Sequence, residues 1–240
     1  MKLTRLSLPL CLSLGLLQSA AAMAVNGSVN MVFYPTVEEG EVEVEARGWR
    51  GNDDGAFDGA EVDKFDLAYG VTSWWKTELE FVVEKAPGES REWEATASEN
   101  FFQLSEQGEY FADFGFFFEY ENVRDADIHE VVFGPIIQMS FGDIVATTNL
   151  FVEREFGSDA EEKKFEPFGS LQVKYRLAKA FEPAVELYMD EHGWIAGPAA
   201  LGEVKLAGNK LKWQLAYLLG NSNDDDVADQ TLRWAVEYEF

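Results

Sequence analysis

Cysteine and histidine are nearly absent from the sequence. The only cysteine is Cys11, and the only histidines are His129 and His192. A single thiol excludes a disulfide framework and a thiolate metal site. Neither histidine lies in a recognisable nucleophile motif, and no Gly-x-Ser-x-Gly stretch occurs in the chain. The sequence therefore predicts no catalytic residue, no cofactor and no bound metal ion.

Basic residues are also scarce. The chain has 19 lysines and arginines against 44 aspartates and glutamates, which gives a formal net charge of −25. Such an excess of acid argues against binding to nucleic acid and against adhesion to anionic lipid through the protein's own field. The acidic runs at residues 52–54 and 223–226 lack the Asp-x-Asp-x-Asp-Gly spacing of a calcium loop, so we interpret both as solvated loops.

A long apolar segment is missing as well. The most apolar stretch, residues 6–17, is well short of the ~20 residues that a membrane-spanning helix needs. It follows Lys2 and Arg5 and precedes Ala22-Met23-Ala24, which is the arrangement of a secretory signal peptide with its cleavage site. We predict that residues 1–24 are a signal peptide and that residues 25–240 form a single domain. Because Cys11 lies in the predicted signal peptide, the mature chain would be exported without any cysteine.

A two-residue alternation of apolar and charged side chains runs through most of the mature chain. It is clearest where Trp75, Leu79 and Phe81 alternate with Glu78 and Glu80. Successive side chains of a strand point to opposite faces, so each such stretch predicts a strand with one apolar and one charged face. Twelve strands are predicted, over residues 41–49, 62–71, 75–84, 92–104, 110–121, 128–141, 144–155, 165–177, 181–190, 199–207, 210–220 and 231–240. A bulge is predicted near residues 100–102, and a loop over residues 192–198.

The connections between these strands alternate in length. Short turns are predicted near residues 72, 107, 142, 179 and 208, and longer polar loops near residues 54, 88, 124, 160, 195 and 225. Transmembrane barrels combine an even number of antiparallel strands with short periplasmic turns and longer outer loops. The predicted fold class is therefore all-β, a transmembrane antiparallel up-and-down β-barrel of 12 strands. If the sixth strand, which contains Pro135, or the tenth strand is instead a loop, the barrel has ten strands.

The last ten residues carry the most specific pattern. Leu232, Trp234, Val236, Tyr238 and Phe240 form an apolar face that runs to the final residue. This segment resembles the closing strand of Gram-negative outer-membrane β-barrels, which the barrel-assembly machinery reads in that family. The resemblance implies an outer-membrane location, and we expect a monomer in contact with outer-membrane lipid and lipopolysaccharide. The alternative all-β interpretation is a soluble sandwich or lipocalin-like barrel with its apolar face inward.

Three stretches point to a narrower group within the outer-membrane barrels. Residues 69–80, 99–104 and 233–240 are similar to small outer-membrane transporters, a set that includes the family linked to the meta-cleavage pathway of phenol degradation. The resemblance extends over most of the mature chain and implies a porin-like channel for passive uptake of small solutes. These motifs describe how a barrel is built, so they do not identify the solute.

If the apolar faces meet lipid, the charged faces line the lumen. The excess of carboxylates among them predicts that an open pore prefers cations. The predicted lumen-lining residues are Glu43, Glu45, Arg47, Lys64, Asp66, Lys76, Glu78, Glu80, Asp113, Glu119, Lys174, Arg176, Glu182, Glu186, Lys212, Arg233, Glu237 and Glu239. A second interpretation is that these charges only neutralise one another in a narrow barrel that Trp49, Phe111 and Phe117 partly fill.

Two other functions are compatible with the sequence. A barrel with a filled lumen would conduct nothing and would serve as an anchor or as a platform for partners. An outer-membrane hydrolase would need catalytic groups at the rim, where Asp125, Asp127 and His129 come nearest to such a pattern. This pattern is nonspecific, so no enzymatic activity is predicted.

Overall fold

The computed structural model describes residues 29–53, 55, 57–160, 163–222 and 227–240. The predicted signal peptide, residues 1–24, lies outside the described residues. No helix in the described part of the chain is long and apolar enough to cross a membrane. The regular structure of these residues consists of β-strands.

Twelve antiparallel strands close into a barrel. They are β1 Val42–Asn52, β2 Glu61–Thr72, β3 Trp75–Lys85, β4 Glu92–Gln103, β5 Asp113–Val123, β6 His129–Phe141, β7 Ile144–Phe156, β8 Glu166–Tyr175, β9 Glu182–Met189, β10 Gly193–Leu206, β11 Asn209–Ser222 and β12 Gln230–Glu239. Each strand pairs with its neighbours in sequence, and β1 pairs with β12 to complete the ring. The predicted up-and-down barrel of 12 strands is confirmed, and the ten-stranded alternative is wrong.

Alternate side chains of each strand point outward and inward. On β2, Phe65, Leu67 and Tyr69 are about half exposed, whereas Asp66 and Ala68 are buried. The same alternation recurs on the other strands, so the apolar faces form the outer surface and the charged faces form the interior. An apolar exterior around a polar interior is typical of transmembrane barrels. It is the reverse of the soluble alternative, in which the apolar face would lie inside.

The closing strand pairs along its whole length. The β1–β12 register runs from Glu43 opposite Glu239 to Asn52 opposite Gln230. Beyond the end of β12, the backbone N–H of Phe240 donates a hydrogen bond to the carbonyl of Val42 at 3.0 Å. The start of β1 and the end of β12 therefore lie at the same edge of the barrel. We call it the periplasmic edge, because transmembrane barrels keep their termini and short turns on the periplasmic side.

Two Gly-Pro pairs explain why the sixth and tenth strands are hard to recognise. Pro135 and Pro198 each follow a glycine, and the pairing with the next strand skips both residues of each pair. Proline is tolerated where the ladder is interrupted, since it has no N–H to donate. A Cβ at Gly134 would lie 2.0 Å from the carbonyl oxygen of Leu150, so the strands approach too closely for a side chain there. The loop predicted over residues 192–198 is wrong, because β10 starts at Gly193 and includes Pro198.

The bulge predicted near residues 100–102 is also wrong. Residues 99–102 of β4 keep a continuous register with both β3 and β5. The irregularity lies near the other end of β4, where Val82 faces Ala95 and Val83 faces Trp93, so that Glu94 is the extra residue. The alternation of apolar and polar residues is broken here because Phe101, which is apolar, points into the barrel, where the pattern led us to expect a polar residue.

The connections follow the predicted alternation with two exceptions. Residues 104–112 form a longer connection than predicted at the periplasmic edge, and residues 190–192 form a short one at the opposite edge. Phe111 belongs to the first of these and is 84% exposed. The prediction that Phe111 partly fills the lumen is therefore wrong, whereas Trp49 and Phe117 are buried inside the barrel.

Candidate functional site

Most of the predicted lumen-lining residues occupy inward positions. Ten are buried, namely Glu43, Glu45, Arg47, Asp66, Glu78, Glu80, Glu119, Glu186, Arg233 and Glu239. Seven are half-buried, namely Lys64, Lys76, Asp113, Lys174, Glu182, Lys212 and Glu237. Arg176 is the exception: it is exposed in the connection after Tyr175, the last residue of β8. Its prediction as a lumen residue is wrong, because the strand ends before it.

Arg47 on β1 gathers four carboxylates around one guanidinium. Its Nη1 lies 2.7 Å from Glu45 Oε1 and 3.0 Å from Asp66 Oδ2. Its Nη2 lies 2.7 Å from Glu99 Oε1 and also contacts Glu80. All five side chains are at most 7% exposed. The contacts with Glu45, Glu80 and Glu99 are charge-assisted hydrogen bonds, which are strong, and the planar guanidinium has enough donors to serve several carboxylates.

Glu99 is a member of this cluster that the sequence analysis missed. It is fully buried, and its register partners are Glu78 on β3 and Glu119 on β5. The expected bulge at residues 100–102 had put this part of β4 out of phase. A period-two row through Ala95, Ala97 and Glu99 was the signal that could have found it.

Further ion pairs line the wall near the periplasmic edge. The Nζ of Lys76 lies 2.9 Å from Glu43 Oε2 and 2.7 Å from Glu78 Oε1. On the adjoining wall, the Nζ of Lys212 lies 2.8 Å from Glu237 Oε1. Lys76 thus links β3 to β1, and Lys212 faces Glu237 in the β11–β12 register, as cross-strand pairs of opposite charge do.

A buried pair spans the interior between strands that are not neighbours. Arg233 on β12 donates from Nη2 to Glu186 Oε1 at 2.6 Å and from Nε to Oε2 at 2.9 Å. Both residues are fully buried. The hydroxyl of Tyr188 and the side-chain amide of Gln172 also donate to this carboxylate, at 3.0 and 2.8 Å. The pair narrows the lumen on this side, because it reaches from β12 to β9.

Carboxylates dominate the wall formed by β5, β6 and β7. Glu121 lies directly opposite Glu130 in the register, and Glu119 and Glu153 face Val132 from either side. Opposed carboxyl groups of this kind are unusual because like charges placed opposite each other destabilise a sheet, so acidic side chains are concentrated on this side of the lumen. The sequence analysis left Glu121 on β5 and Glu153 on β7 out of the predicted lumen lining, and it missed Glu130 because Pro135 obscures the alternation on β6.

Residues 29–37 run inside the lumen. Val29, Val32 and Phe33 are at most 4% exposed. The ring of Phe33 stacks on Phe117 at 4.9 Å between centroids and meets the edge of Phe101 at 5.1 Å. We call residues 29–37 the lumen segment.

Side-chain amides of the wall hold the backbone of the lumen segment. The N–H of Phe33 donates to Asn149 Oδ1 at 2.8 Å, and the Nδ2 of Asn149 donates to the Phe33 carbonyl at 2.9 Å. The N–H of Val37 donates to Gln103 Oε1 at 2.9 Å. The hydroxyl of Tyr34 donates to Gln172 at 2.6 Å. The segment is therefore bound at several levels of the barrel.

Two small cavities flank the lumen segment. One cavity of about 90 Å³ lies between the segment and the Lys76 and Lys212 pairs. Another, of about 50 Å³, lies between Phe33, Phe117 and the acidic wall. A water-filled passage would expose the charged side chains along it, yet Arg47 and Arg233 are only 2% and 0% exposed. The interior is therefore tightly packed around these two arginines.

The outer rim contains the histidine that had been considered for hydrolysis. The Nε2 of His129 lies 3.4 Å from Asp127 Oδ1, and its Nδ1 lies 3.0 Å from the hydroxyl of Tyr120. The ring also stacks on Phe156 at 5.2 Å. The backbone N–H of Ser158 donates to Asp127 at 2.8 Å and lowers the pKa of the Asp127 carboxyl. These contacts account for His129 as a packed side chain of the rim.

No protein-family profile matches the chain, and no curated protein sequence is a significant match. Among solved structures, the chain is similar to a KdgM porin in complex with disordered oligogalacturonate, at 12% identity and a TM-score of 0.52. That alignment covers 83% of this chain and 99% of the KdgM chain. The translocator domain of the autotransporter NalP from Neisseria meningitidis is similar at 12% identity and a TM-score of 0.45, covering 85% of this chain and 89% of that one.

The likeness to the KdgM porin concerns the fold, and it agrees with the closed ring of twelve strands and the apolar outer surface. The chain has a porin-like outer-membrane barrel fold. This fold indicates an outer-membrane location for the porin-like barrel.

Proposed function

We propose that the porin-like barrel is a channel for passive uptake of small solutes and that its acidic lumen prefers cations. The observation that carries this proposal is the excess of carboxylates on the inner face. Four carboxylates share Arg47, and Glu119, Glu121, Glu130 and Glu153 add a wall of one sign. Rings and walls of carboxylates favour cations in pores, because they lower the energy of a positive ion inside.

Conduction through this lumen requires the lumen segment to move. Its only covalent connection to the described barrel is through residues 38–41, where the N–H of Gly40 donates to the carbonyl of Gly70. A segment attached at one end is able to swing away without unfolding a strand. We therefore expect brief openings separated by long closed intervals, rather than steady conductance.

The test is single-channel recording of the refolded mature protein in a planar bilayer under a salt gradient. We expect discrete steps with a reversal potential on the cation-selective side. The matched variant is Glu121→Gln with Glu130→Gln, which removes two charges from the acidic wall and should move the reversal potential towards zero. Anion selectivity in the unmodified protein would contradict the proposal, and so would a reversal potential that the two substitutions leave unchanged.

A second candidate function is supported by the filled interior. If the lumen segment never leaves, the barrel conducts nothing and serves as a structural anchor in the outer membrane. A silent bilayer, with protein shown to be folded by heat-modifiable gel mobility, would favour this function over transport.

A further inference from the structure

The site that holds Phe33 has the features of a ligand-binding site. The ring of Phe33 is 4% exposed and lies against Phe117, Phe101 and Phe151, with centroid distances of 4.9, 5.1 and 6.2 Å. The guanidinium carbon of Arg47 lies 5.6 Å from the ring centroid, within range of a cation–π contact. We call these four wall residues together with Asn149 the Phe33 cradle.

Asn149 forms hydrogen bonds with both backbone polar groups of Phe33. Its side-chain amide accepts from the N–H of Phe33 and donates to the carbonyl of the same residue, at 2.8 and 2.9 Å. A primary amide has one acceptor and two donors, so it pairs with both polar groups of a single amino-acid unit. The requirement is therefore specific: an aromatic ring with an amide N–H and a carbonyl on either side of the same carbon.

The residues of the cradle also contact one another and their neighbours within the wall. Asn149 is 1% exposed and accepts a second hydrogen bond from Ser170 Oγ at 3.1 Å, which fixes the orientation of its amide. Phe117 and Phe151 stack on each other at 5.0 Å without any contribution from Phe33. A buried amide is costly unless it is hydrogen-bonded, so a ligand that leaves this site must be replaced by another partner.

We propose that the Phe33 cradle is a solute-binding site for compounds that carry an aromatic ring next to an amide, such as acylated aromatic amino-acid amides and short aromatic peptides. In this structure the chain's own Phe33 occupies the site as an intramolecular competitor. The inference rests on the proposed function, since a solute reaches the cradle only through the lumen. The lumen segment then has two roles, because it closes the passage and sets the concentration at which a solute displaces it.

The covalent attachment of Phe33 to the barrel makes this competition measurable. A group linked by a short chain has an effective concentration on the order of millimolar at its site, so a free solute competes poorly with intact Phe33. Phe33→Ala removes the competing ring and leaves every wall residue in place. Phe33→Leu, which keeps most of the volume, serves as the second variant in case the alanine form does not fold.

The experiment is calorimetric titration of detergent-solubilised full-length mature protein with N-acetyl-phenylalaninamide. We expect the Phe33→Ala form to bind this probe about tenfold or more tightly than the unmodified protein, and Phe33→Leu to fall between them. N-acetyl-glycinamide, which lacks the ring, should bind none of the three. Adding Asn149→Ala to Phe33→Ala should weaken binding about tenfold or more, since it removes two hydrogen bonds.

Thr147→Ala in the Phe33→Ala background is the matched control. Thr147 is a buried residue of the same strand, and its hydroxyl donates to Gln138 rather than to the lumen segment. We expect this substitution to leave the affinity for the probe unchanged. No binding to folded Phe33→Ala and Phe33→Leu proteins, or equal binding with and without Asn149, would overturn the inference.

Failure of this inference is distinguishable from failure of the proposed function. Cation-selective steps in a bilayer without any binding of the probe would overturn the cradle as a solute site and support the channel. Binding of the probe by a barrel that stays silent in the bilayer would support the cradle and contradict transport.

Discussion

Replacing Arg47 with methionine should destabilise the barrel strongly. The guanidinium is 2% exposed and contacts four carboxylates that are themselves at most 7% exposed. Methionine fills a similar volume, so the main loss is the charge. Glu45, Asp66 and Glu99 would then lose their guanidinium contacts, while Glu80 would keep Lys64 at 2.9 Å.

Removing one partner of a buried ion pair costs about 3–5 kcal/mol, because the remaining charge stays buried without compensation. We expect Arg47→Met to reach the upper part of this range, since one cation serves several carboxylates. The measurement is urea unfolding in detergent or lipid, followed by tryptophan fluorescence and by gel mobility, with linear extrapolation to water. Arg91→Ala is the matched control, because Arg91 is 46% exposed in its pairs with Glu61 and Asp63. Exposed pairs contribute only about 0–1 kcal/mol.

A rescue variant separates charge from packing. Arg47→Met combined with Glu80→Gln and Glu99→Gln removes two of the carboxylates that the guanidinium compensates. We expect this triple variant to be more stable than Arg47→Met alone. An Arg47→Met loss no larger than that of Arg91→Ala, or no recovery in the triple variant, would refute the assignment of Arg47 as the centre of the cluster.

Three further predictions concern the lumen segment, the periplasmic edge and assembly. A Cβ at Gly115 would lie 2.9 Å from the Cα and Cβ of Pro35. Gly115→Ala should therefore push the lumen segment away and raise the open probability of the channel in bilayer recordings. An unchanged open probability would contradict this contact. Burial, together with the nearby Glu239 and Glu43, raises the pKa of the Glu41 carboxyl to about 8 in the folded state, above its usual value of 4.5. The contribution of Glu41 to the stability of the fold is therefore present below pH 4.5 and is lost as pH rises through about 8. Glu41→Gln should therefore gain stability relative to the unmodified protein between pH 5 and 9 in urea titrations, and a constant difference across this range would contradict the prediction. Deletion of Phe240 should slow barrel assembly in cells, measured as accumulation of heat-modifiable protein in the outer membrane, because the terminal aromatic residue is the proposed signal for the assembly machinery; an unchanged rate would argue against this partner.

The number and direction of the strands were predictable because each strand separates two different environments. An apolar outer surface and a charged interior impose a period of two, which is visible in Phe65, Asp66 and Leu67 without any knowledge of the neighbours. The pattern failed where an inward residue is apolar, as at Phe101, or where the ladder is interrupted, as at Pro198. At these positions the tertiary neighbours decide the conformation, and a single strand does not contain that information.

The lumen segment was not predictable for a related reason. It has no periodicity, and the residues that hold it are distant in sequence: Phe33 and Asn149 are 116 positions apart. Its cradle combines Arg47, Phe117 and Asn149 from β1, β5 and β7, so it exists only once the barrel has closed. Charge balance was similarly visible only in outline. The excess of acid was clear from composition, but the sharing of Arg47 among four carboxylates depends on the register of four strands.

The most direct test of a channel that its own lumen segment closes is to lock that segment in place. The mature chain has no cysteine if residues 1–24 are removed, so Pro35→Cys with Gly115→Cys introduces a single pair of thiols. The Cβ positions of residues 35 and 115 are 2.9 Å apart and need only a small adjustment to reach the ~3.5–4.5 Å that separates the Cβ atoms of a disulfide. The account predicts a silent bilayer while the pair is oxidised and cation-selective steps after reduction, with heat-modifiable mobility in both states. Steps of equal size with the disulfide intact would contradict closure by the segment, and silence after reduction would contradict the channel.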